Sequence, residues 1–316
     1  MTPADGVSDV ADGAAGRSLR IQTVLYRPAE GDVDRQLRGL AQAVRILKES
    51  ADYHVVMAFG DASPTPTLSL DEVAELDESV RAYGIDQLTY YYFDENLGSA
   101  RGHNVLLTEF REEFVLFLNP DAYLSPFCLT ELMLLTPDHG IGIVEGRQIP
   151  LEHPKAFDRD SGDTSWASTA CALVRSEVID ATQGFDADSF FLYCDDVDFS
   201  WRTRLAGFRV VHQPTAQFFH DKRLTLDAQM QVGDAEHYYA AEAALMLAWK
   251  YSRPDLAEQW AVDLERSTMS LQRKAARVFR ERQSNATLPT PIDSDGRVAE
   301  FIGTDFAEHR FSYADA

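Results

Sequence analysis

The amino-acid sequence predicts an α/β protein in which a mostly parallel central sheet is flanked by helices. Three observations predict this fold class. Short β-prone runs alternate with helical patterns from residue 21 onward, and such alternation is typical of βαβ units. The run 114–118 is wholly apolar, as expected of a strand buried on both faces of a sheet. Apolar residues make up 45% of the 316 residues, which is enough for a large core.

The first part of the chain supplies four predicted strands and three helices. The strands are at 21–26, 54–59, 86–93 and 114–118. Helical spacing of apolar residues predicts the first helix, and its stripe consists of Val33, Leu37, Leu40, Val44 and Leu47. Ser69 and Glu72 have the spacing of a capping box at the start of the second helix. The third helix is predicted at 100–110, and a later strand at 166–175.

Polar loops follow three of these strands, at 60–63, 96–104 and 119–121. Ligands of parallel sheets bind beyond the carboxyl ends of the strands. We therefore expect these three loops to lie on one rim and to form a binding site.

The chain divides into three predicted parts. Residues 1–18 lack the charged and apolar regions of a signal peptide and are predicted to be a flexible tail. Residues 19–223 form the main domain, with halves at about 19–121 and 122–223. Residues 224–316 form a helical extension and tail, with long helical patterns at 235–250 and 256–282. No apolar stretch reaches the ~20 residues that a membrane-spanning helix needs.

Charge and cysteine content exclude several classes of protein. The net charge is −22, which argues against nucleic acid as the main partner. Cys128, Cys171 and Cys194 are odd in number and far apart. This pattern favours a reduced, cytoplasmic chain over a disulfide framework or a zinc site.

Asp121 follows the apolar strand at 114–118, and Pro120 ends that strand. A carboxylate at this place points toward the expected rim, where hard oxygen ligands suit Mg²⁺ or Mn²⁺. The alternative is a turn residue whose side chain binds its own backbone.

Asp195, Asp196 and Asp198 form an acidic cluster among aromatic residues. Neighbouring carboxylates raise one another's pKa, which suits a general base that works near neutral pH. The alternative is that Asp195 and Asp198 cap a helix that begins near Val197. That alternative can hold for Asp198 while Asp196 is catalytic.

His220 ends an apolar run, and Lys222 and Arg223 follow it. A neutral imidazole is a common metal ligand, and the two cations are suited to a diphosphate. The alternative is a structural histidine whose ring nitrogens are satisfied within the fold.

The order of these motifs resembles that of the family 2 glycosyltransferases of the GT-A fold, especially bacterial rhamnosyl- and galactofuranosyltransferase-like members. The matching segments are 96–104 (NLGSARGHN), 117–121 (FLNPD), 166–175 (WASTACALVR), 184–202 (GFDADSFFLYCDDVDFSWR), 206–208 (AGF) and His220. The resemblance covers about 21–223 and implies a Rossmann-like, mostly parallel sheet.

The resemblance also implies a reaction and a role for each site residue. An inverting transferase would move a sugar from a dTDP- or UDP-linked donor to a glycan, a lipid-linked acceptor or another small acceptor. Asp121 and His220 would hold Mn²⁺ or Mg²⁺, Asp196 would be the general base, and Asp195 would orient the acceptor or share the base role. The donor residues would be Tyr26, Asp61, Asn96, Gly98, Arg101, Asn104, Asn119 and Asp121. The acceptor residues would be Trp166, Tyr193 and Asp195.

Two positions depart from the family's pattern. Its usual Asp-Asn-x-Ser motif places a carboxylate near the nucleotide base, whereas here Gly60 replaces the Asp and Asp61 replaces the Asn. We therefore expect base recognition to fall on Asp61. Asn119 replaces the first Asp of the metal-binding Asp-x-Asp motif, so Asp121 is the carboxylate that this motif retains.

The C-terminal extension ends in a basic amphipathic pattern, formed by Arg273, Lys274, Arg277, Arg280 and Arg282. One hypothesis is peripheral contact with an anionic membrane at the inner face. The other is a helical lid packed on the main domain or a surface for homo-oligomers.

Three other functions compete with this interpretation. A catalytically silent sugar-nucleotide-binding protein or a metal-dependent sugar-nucleotide hydrolase would use the same fold and site. A dinucleotide-dependent oxidoreductase is disfavoured, because the glycines at 140–146 have the wrong spacing and precede a β-prone run instead of opening a helix.

Overall fold

The structure is a computed structural model that describes residues 17–150, 152, 156–221, 233–302 and 305–307. Residues 1–16 of the predicted tail lie outside this range, as do Lys222 and Arg223.

The described residues form one eight-stranded sheet, in the order β3-β2-β1-β4-β7-β6-β8-β5. The strands are β1 (Arg17–Leu25), β2 (Tyr53–Asp61), β3 (Gln87–Tyr92), β4 (Phe114–Leu118), β5 (Ala122–Leu124), β6 (Ile141–Ile149), β7 (Cys171–Arg175) and β8 (Arg209–His220). The first four strands pair in parallel, and β7 runs antiparallel to both β4 and β6. The predicted α/β fold class with a mostly parallel sheet is confirmed.

Helices flank this sheet on the main domain and form the C-terminal extension. They are α1 (Asp32–Ser50), α2 (Leu70–Ala82), α3 (Gly98–Leu107), α4 (Cys128–Met133), α5 (Ser176–Thr182), α6 (Asp195–Leu205), α7 (Asp234–Lys250), α8 (Pro254–Glu265) and α9 (Ser270–Ser284). The predicted apolar stripe of α1 is buried. The predicted capping box of α2 is present, with Ser69 and Glu72 bonded to each other's backbone N–H.

Several predicted elements differ in extent: β1 begins at Arg17, inside the predicted tail, and α3 ends at Leu107. Two larger differences have a clear physical reason. The strand predicted at 166–175 begins only at Cys171. Before it, side chains bind the backbone in place of a neighbouring strand, since Ala167 N donates to Ser200 Oγ (3.0 Å) and Ser168 N donates to Glu145 Oε1 (2.6 Å). The helix predicted at 256–282 is two helices, since α8 ends at Glu265 and α9 begins at Ser270, and in the turn between them the Ser267 hydroxyl accepts from Met269 N.

The extension packs on the main domain through a shared apolar core. Trp201 of α6 contacts Tyr251 edge-on, with ring centroids 4.7 Å apart. Arg280, from the basic end of α9, pairs with Glu258 and Glu265 of α8. Among the described residues, no helix combines the length and the apolar character needed to cross a bilayer.

Lys250 is a buried polar link between the extension and the main domain. Its side chain is almost fully buried, and its Nζ lies 2.7 Å from Asp186 Oδ2 and 2.5 Å from Asp198 Oδ1. Burial disfavours the charge on Asp186, but Lys250 and the hydrogen bonds from Ser189 together outweigh this and keep the pKa of Asp186 below its ordinary value. The end of α7 is therefore tied to α6 and to the segment that precedes it.

Candidate active site

A cleft of about 1130 Å³ opens beyond the ends of β1 and β4. Other walls are formed by the start of α6, one face of α7, the segment before β7 and residues 305–307. Most of the predicted site residues line it: Tyr26, Asn96, Gly98, Asn119, Asp121, Trp166, Tyr193, Asp195, Asp196 and His220. The expectation that distant loops meet on one rim is therefore met by the geometry.

Asp121 and His220 are 99 positions apart in the sequence, yet they face each other in this cleft. Strand β5 pairs with the end of β8, so that Ala122 lies opposite His220. His220 Nε2 is 3.2 Å from Asp121 Oδ1, while Nδ1 lies 2.9 Å from Gln148 Oε1. With Gln148 Oε1 as the acceptor, Nδ1 is the donor, and Nε2 is the ring nitrogen that faces Asp121.

This arrangement fits a divalent cation. A carboxylate oxygen and an imidazole lone pair repel each other at such a distance unless a proton or a cation lies between them. An imidazole whose other nitrogen donates to a fixed acceptor is the usual form of a metal-ligating histidine. The oxygen and nitrogen donors suit Mn²⁺ or Mg²⁺, with Mn²⁺ the more tolerant of nitrogen.

The first turn of α6 presents two adjacent carboxyl groups in different surroundings. Tyr193 and Cys194 both have left-handed backbones (φ 67° and 53°), and this turn brings Asp195 and Asp196 to the cleft wall. Asp196 is half-buried, and its Oδ1 accepts from Val197 N at 2.9 Å. The helix starts at Asp195, two residues before the predicted start near Val197.

Asp195 is only 5% exposed, and among the described residues its Oδ2 has no hydrogen-bond partner. Burial raises the pKa of Asp195 to about 6, although a hydrogen bond with the Ser99 side chain works in the opposite direction. A carboxyl group with a pKa in this range can exchange a proton near neutral pH.

Replacement of Asp195 by asparagine should stabilise the protein at neutral pH. The folded state holds the Asp195 proton more tightly than the unfolded state, so the stability it confers is present below pH 3.8 and is lost as the pH rises to about 6. An amide at this position has no proton to lose, and the gain in the free energy of unfolding should be about 1–3 kcal/mol above pH 7. Urea titrations at pH 7.5 and pH 4 measure it.

The pH dependence distinguishes the removal of the Asp195 charge from a general effect of the substitution on stability. The gain should disappear near pH 4, where the parent carboxyl group is itself protonated. A Glu78→Gln control at an exposed position of α2 should change the free energy of unfolding by less than about 0.5 kcal/mol at either pH. An Asp195→Asn variant that is equally destabilised at both pH values would contradict the prediction.

Asp198 is structural, but it does not cap the helix as the alternative from the sequence proposed, since α6 has no side-chain cap. It is fully buried, its Oδ2 lies 2.7 Å from Arg202 Nε, and Lys250 and the Tyr251 hydroxyl bind its Oδ1. Its carboxylate therefore holds α6 to α7 and does not face the cleft.

Three predicted donor residues lie outside the cleft and support its loops. Asp61 is buried, and its carboxylate accepts from Ser63 N (2.9 Å), Thr67 N (2.7 Å) and the Tyr90 hydroxyl. Burial alone would raise the pKa of Asp61, but these hydrogen bonds lower it. The geometry thus assigns Asp61 to the loop and not to direct contact with a base. Gly60 has no room for a side chain, because a Cβ there would overlap the Phe93 ring.

Arg101 and Asn104 also differ from the predicted role in donor binding. Arg101 pairs with Asp188 at 2.9 Å on the surface. Asn104 donates to Phe185 O (2.7 Å) and accepts from Phe185 N (2.8 Å), which fixes α3 to the segment before α6.

Gly98 needs to be a glycine for two reasons. Its φ is +69°, a conformation that side chains disfavour, and a Cβ there would overlap the carbonyl oxygen of Phe191. The close approach lets Ser99 N donate to Phe191 O at 3.1 Å. It thereby joins the loop at 96–104, which is the predicted donor loop, to the segment before α6 that leads to Asp195 and Asp196.

Sequence reasoning offered a helical lid packed on the main domain, but it named none of the residues that the extension contributes to the cleft. Glu236, Tyr239 and Ala240 of α7 line it, as do Asp305 and Phe306. One feature of the sequence could have indicated this role of α7. Its apolar and small residues occur on all sides of the helix, and such a pattern predicts contacts on more than one face.

A second group of potential metal ligands supports the cleft from behind. Ligand atoms of Glu145, Glu152 and His212 all lie within 4.8 Å of one another. Glu145 Oε2 is 3.0 Å from His212 Nδ1, and Glu145 Oε1 accepts from Ser168 N. Because Ser168 lines the cleft, the buried Glu145–His212 pair positions one of its walls.

Comparisons with known proteins agree with this architecture. No family model matches the chain. A segment of 57 residues is 39% identical to N-acetylglucosaminyl-diphospho-decaprenol L-rhamnosyltransferase of Mycobacterium tuberculosis, and it spans 18% of each of the two chains.

Solved structures match over most of the chain. GalNAc-T7, solved with UDP, GalNAc and Mn²⁺, has a TM-score of 0.56 at 8% identity, over 88% of this chain and 60% of that one. Mannosyltransferase PcManGT of Pyrobaculum calidifontis, solved with GDP-Man and Mn²⁺, has a TM-score of 0.53 at 14% identity, over 89% and 78%. S. aureus TarS has a TM-score of 0.50 at 15% identity, and this chain covers 43% of its length. These likenesses show that the chain has the GT-A fold.

Proposed function

We propose that the chain is a metal-dependent, inverting glycosyltransferase of family 2 that uses a dTDP- or UDP-linked sugar donor. The observation that carries this proposal is the Asp121–His220 pair, with its 3.2 Å separation, in the same cleft as the adjacent carboxyl groups of Asp195 and Asp196. A site for a cation and a site for a base on one cleft are what transfer from a nucleoside diphosphate needs.

On the donor side, Asp121 and His220 would hold Mn²⁺ or Mg²⁺. The cation, when bound, offsets negative charge on the departing nucleoside diphosphate. Tyr26, Asn96 and Asn119 line this side of the cleft. Among the described lining residues, Arg27 contributes a positively charged side chain.

On the acceptor side, Asp196 would take the proton of the attacking hydroxyl group. The hydroxyl oxygen forms the new bond to the anomeric carbon as the bond to the diphosphate oxygen breaks, with attack from the opposite face, and the configuration inverts. Asp195 lies beside Asp196, and its raised pKa allows it to share or retain that proton.

Donor screening by thermal unfolding tests the proposal. We expect a UDP- or dTDP-sugar to raise the unfolding midpoint in the presence of Mn²⁺ and to have a smaller effect with EDTA. A donor at 100 times its Kd should add about 2.7 kcal/mol to the free energy of unfolding. A GDP-sugar is the matched comparison, and a panel in which no nucleotide sugar shifts the midpoint would count against the proposal.

Turnover without an acceptor separates the competing functions. A hydrolase would release the nucleoside diphosphate from the donor at its full rate with water alone. A catalytically silent protein would bind the donor and release nothing with any acceptor. The proposed transferase should release nucleoside diphosphate much faster when an acceptor is supplied.

A further inference from the structure

Helix α7 of the extension forms a wall of the cleft that has its own aromatic surface. Tyr239 stacks on Phe191 with ring centroids 4.7 Å apart and an angle of 26° between the planes. Phe191 is itself fixed to the donor loop, because its carbonyl oxygen accepts from Ser99 N. Tyr239 is half-buried and lines the cleft. This stacked pair is therefore a rigid surface next to the donor loop.

A second aromatic pair lies on the same cleft. Trp166 and Phe306 meet edge-on at 5.4 Å, and both line the cleft. Aromatic rings with one apolar face and polar neighbours suit ligands that are apolar on one side and hydroxylated on the other. Saccharide rings have this character.

Among the described lining residues, the part of the cleft formed by α6, α7 and residues 305–307 is negatively charged. Asp195, Asp196, Glu236 and Asp305 supply carboxyl groups, and Asp195 is nine-tenths buried with an Oδ2 that no described residue binds. Arg27, the arginine among the described lining residues, lies two residues after the end of β1, on the donor side. Carboxylates accept hydrogen bonds from hydroxyl or ammonium groups and repel phosphates and carboxylates.

Building on the proposed function, we propose that α7 completes the acceptor site and that the acceptor is a neutral or amino-bearing saccharide. Tyr239 contacts the apolar face of the sugar ring, and the carboxyl groups of Glu236 and Asp195 accept from its hydroxyl or ammonium groups. Sugars that carry a phosphate or a carboxylate at the bound ring are disfavoured. Tyr239 and Glu236 are then determinants of acceptor specificity.

Saturation-transfer NMR with the full chain tests this proposal. The probes are methyl β-glucoside, glucosamine, glucuronate and glucose 6-phosphate, each titrated with diamagnetic Mg²⁺ and either UDP or dTDP present. We expect the neutral and amino sugars to bind at least tenfold more tightly than the two anions, and high salt to narrow the difference because it screens the charges. Equal or tighter binding of the anions, or no binding of any of the four, would overturn the proposal.

Variants of α7 test whether this helix causes the preference for neutral and amino sugars over anionic ones. Tyr239→Ala should weaken binding of the neutral sugars at least fivefold, whereas Tyr239→Phe, which keeps the stack, should not. Glu236→Gln should reduce the discrimination against anions. The matched Glu242→Gln, on the same helix and outside the described lining, should leave it unchanged. An unaltered preference in Tyr239→Ala and Glu236→Gln would exclude α7 from the acceptor site.

Nucleotide binding separates this inference from the proposed function. If UDP and dTDP bind with Mn²⁺ but the sugars show no charge preference, the inference about the acceptor fails alone. If neither nucleotide binds the parent protein, the proposed function fails. Nucleotide affinity should be the same in the parent and in Tyr239→Phe, Glu236→Gln and Glu242→Gln, all of which keep the stack of Tyr239 on Phe191.

Discussion

Replacing Asp196 by asparagine should lower the rate of sugar transfer by about 10²–10⁴-fold. The amide cannot accept the proton of the attacking hydroxyl group, whereas the shape of the side chain and its hydrogen bond with Val197 N are kept. Single-turnover kinetics with saturating donor and acceptor measure the effect. Binding of the nucleoside diphosphate with Mn²⁺, measured by calorimetry, should stay at the parent value because Asp121 and His220 are untouched.

The neighbouring aspartates provide the controls for this experiment. Asp198→Asn should chiefly lower the free energy of unfolding, because it removes the buried charge that Lys250 and Arg202 share. Asp195→Asn should change both the rate and the pH dependence of stability. Transfer at the parent rate by Asp196→Asn would show that the base is another group, with Asp195 as the first to examine.

The sequence was sufficient to predict the α/β class and the order of the first elements, because those depend on local signals. The stripe of α1 and the capping box at Ser69 and Glu72 involve residues a few positions apart. The extent of β7 depended on partners far along the chain, since Ser200 and Glu145 bind the backbone at 167 and 168. Residue spacing alone does not reveal such partners.

The candidate site was predictable where a motif stands at the end of a strand. Asp121 lies three residues after β4, Asp196 lies in the first turn of α6, and His220 is the last residue of β8; all three line the cleft. Asp61 has the same type of position, yet its three hydrogen-bond donors come from residues 63, 67 and 90. These donors decide whether the carboxylate can bind a ligand or is occupied by its own loop. Because Tyr90 lies on another strand, β3, the residues next to Asp61 in the sequence do not reveal this.

The role of α7 could not be predicted because it depends on how the extension docks. The helical pattern of the sequence predicts that α7 is a helix, but it does not predict which part of the protein packs against each face. Docking is fixed by the buried contacts of Lys250 with Asp186 and Asp198 and by the packing of Tyr251 on Trp201. Each of these contacts joins residues 50 or more positions apart in the sequence, and a single sequence contains no signal for the pairing.

Replacing Asp121 by asparagine should weaken Mn²⁺ binding by more than about 100-fold and should lower transfer in parallel, because it removes the charged ligand of the pair. Gln148→Met should have a smaller effect, about 10–100-fold on metal affinity, since Gln148 only orients the His220 ring through Nδ1. Electron paramagnetic resonance of free Mn²⁺ measures the affinity without any need for turnover. The graded order of the two variants is the expected signature of a ligand and its orienting neighbour.

A histidine outside the cleft is the matched control for this metal site. His212→Gln alters the Glu145–Glu152–His212 group and should leave Mn²⁺ affinity and the dependence of nucleotide binding on Mn²⁺ unchanged, whereas His220→Gln should abolish that dependence. If His212→Gln and not His220→Gln weakens Mn²⁺ binding, the cation belongs to the second group. The carboxylate and imidazole at 3.2 Å would then be a hydrogen-bonded pair, and the donor diphosphate would need another source of positive charge.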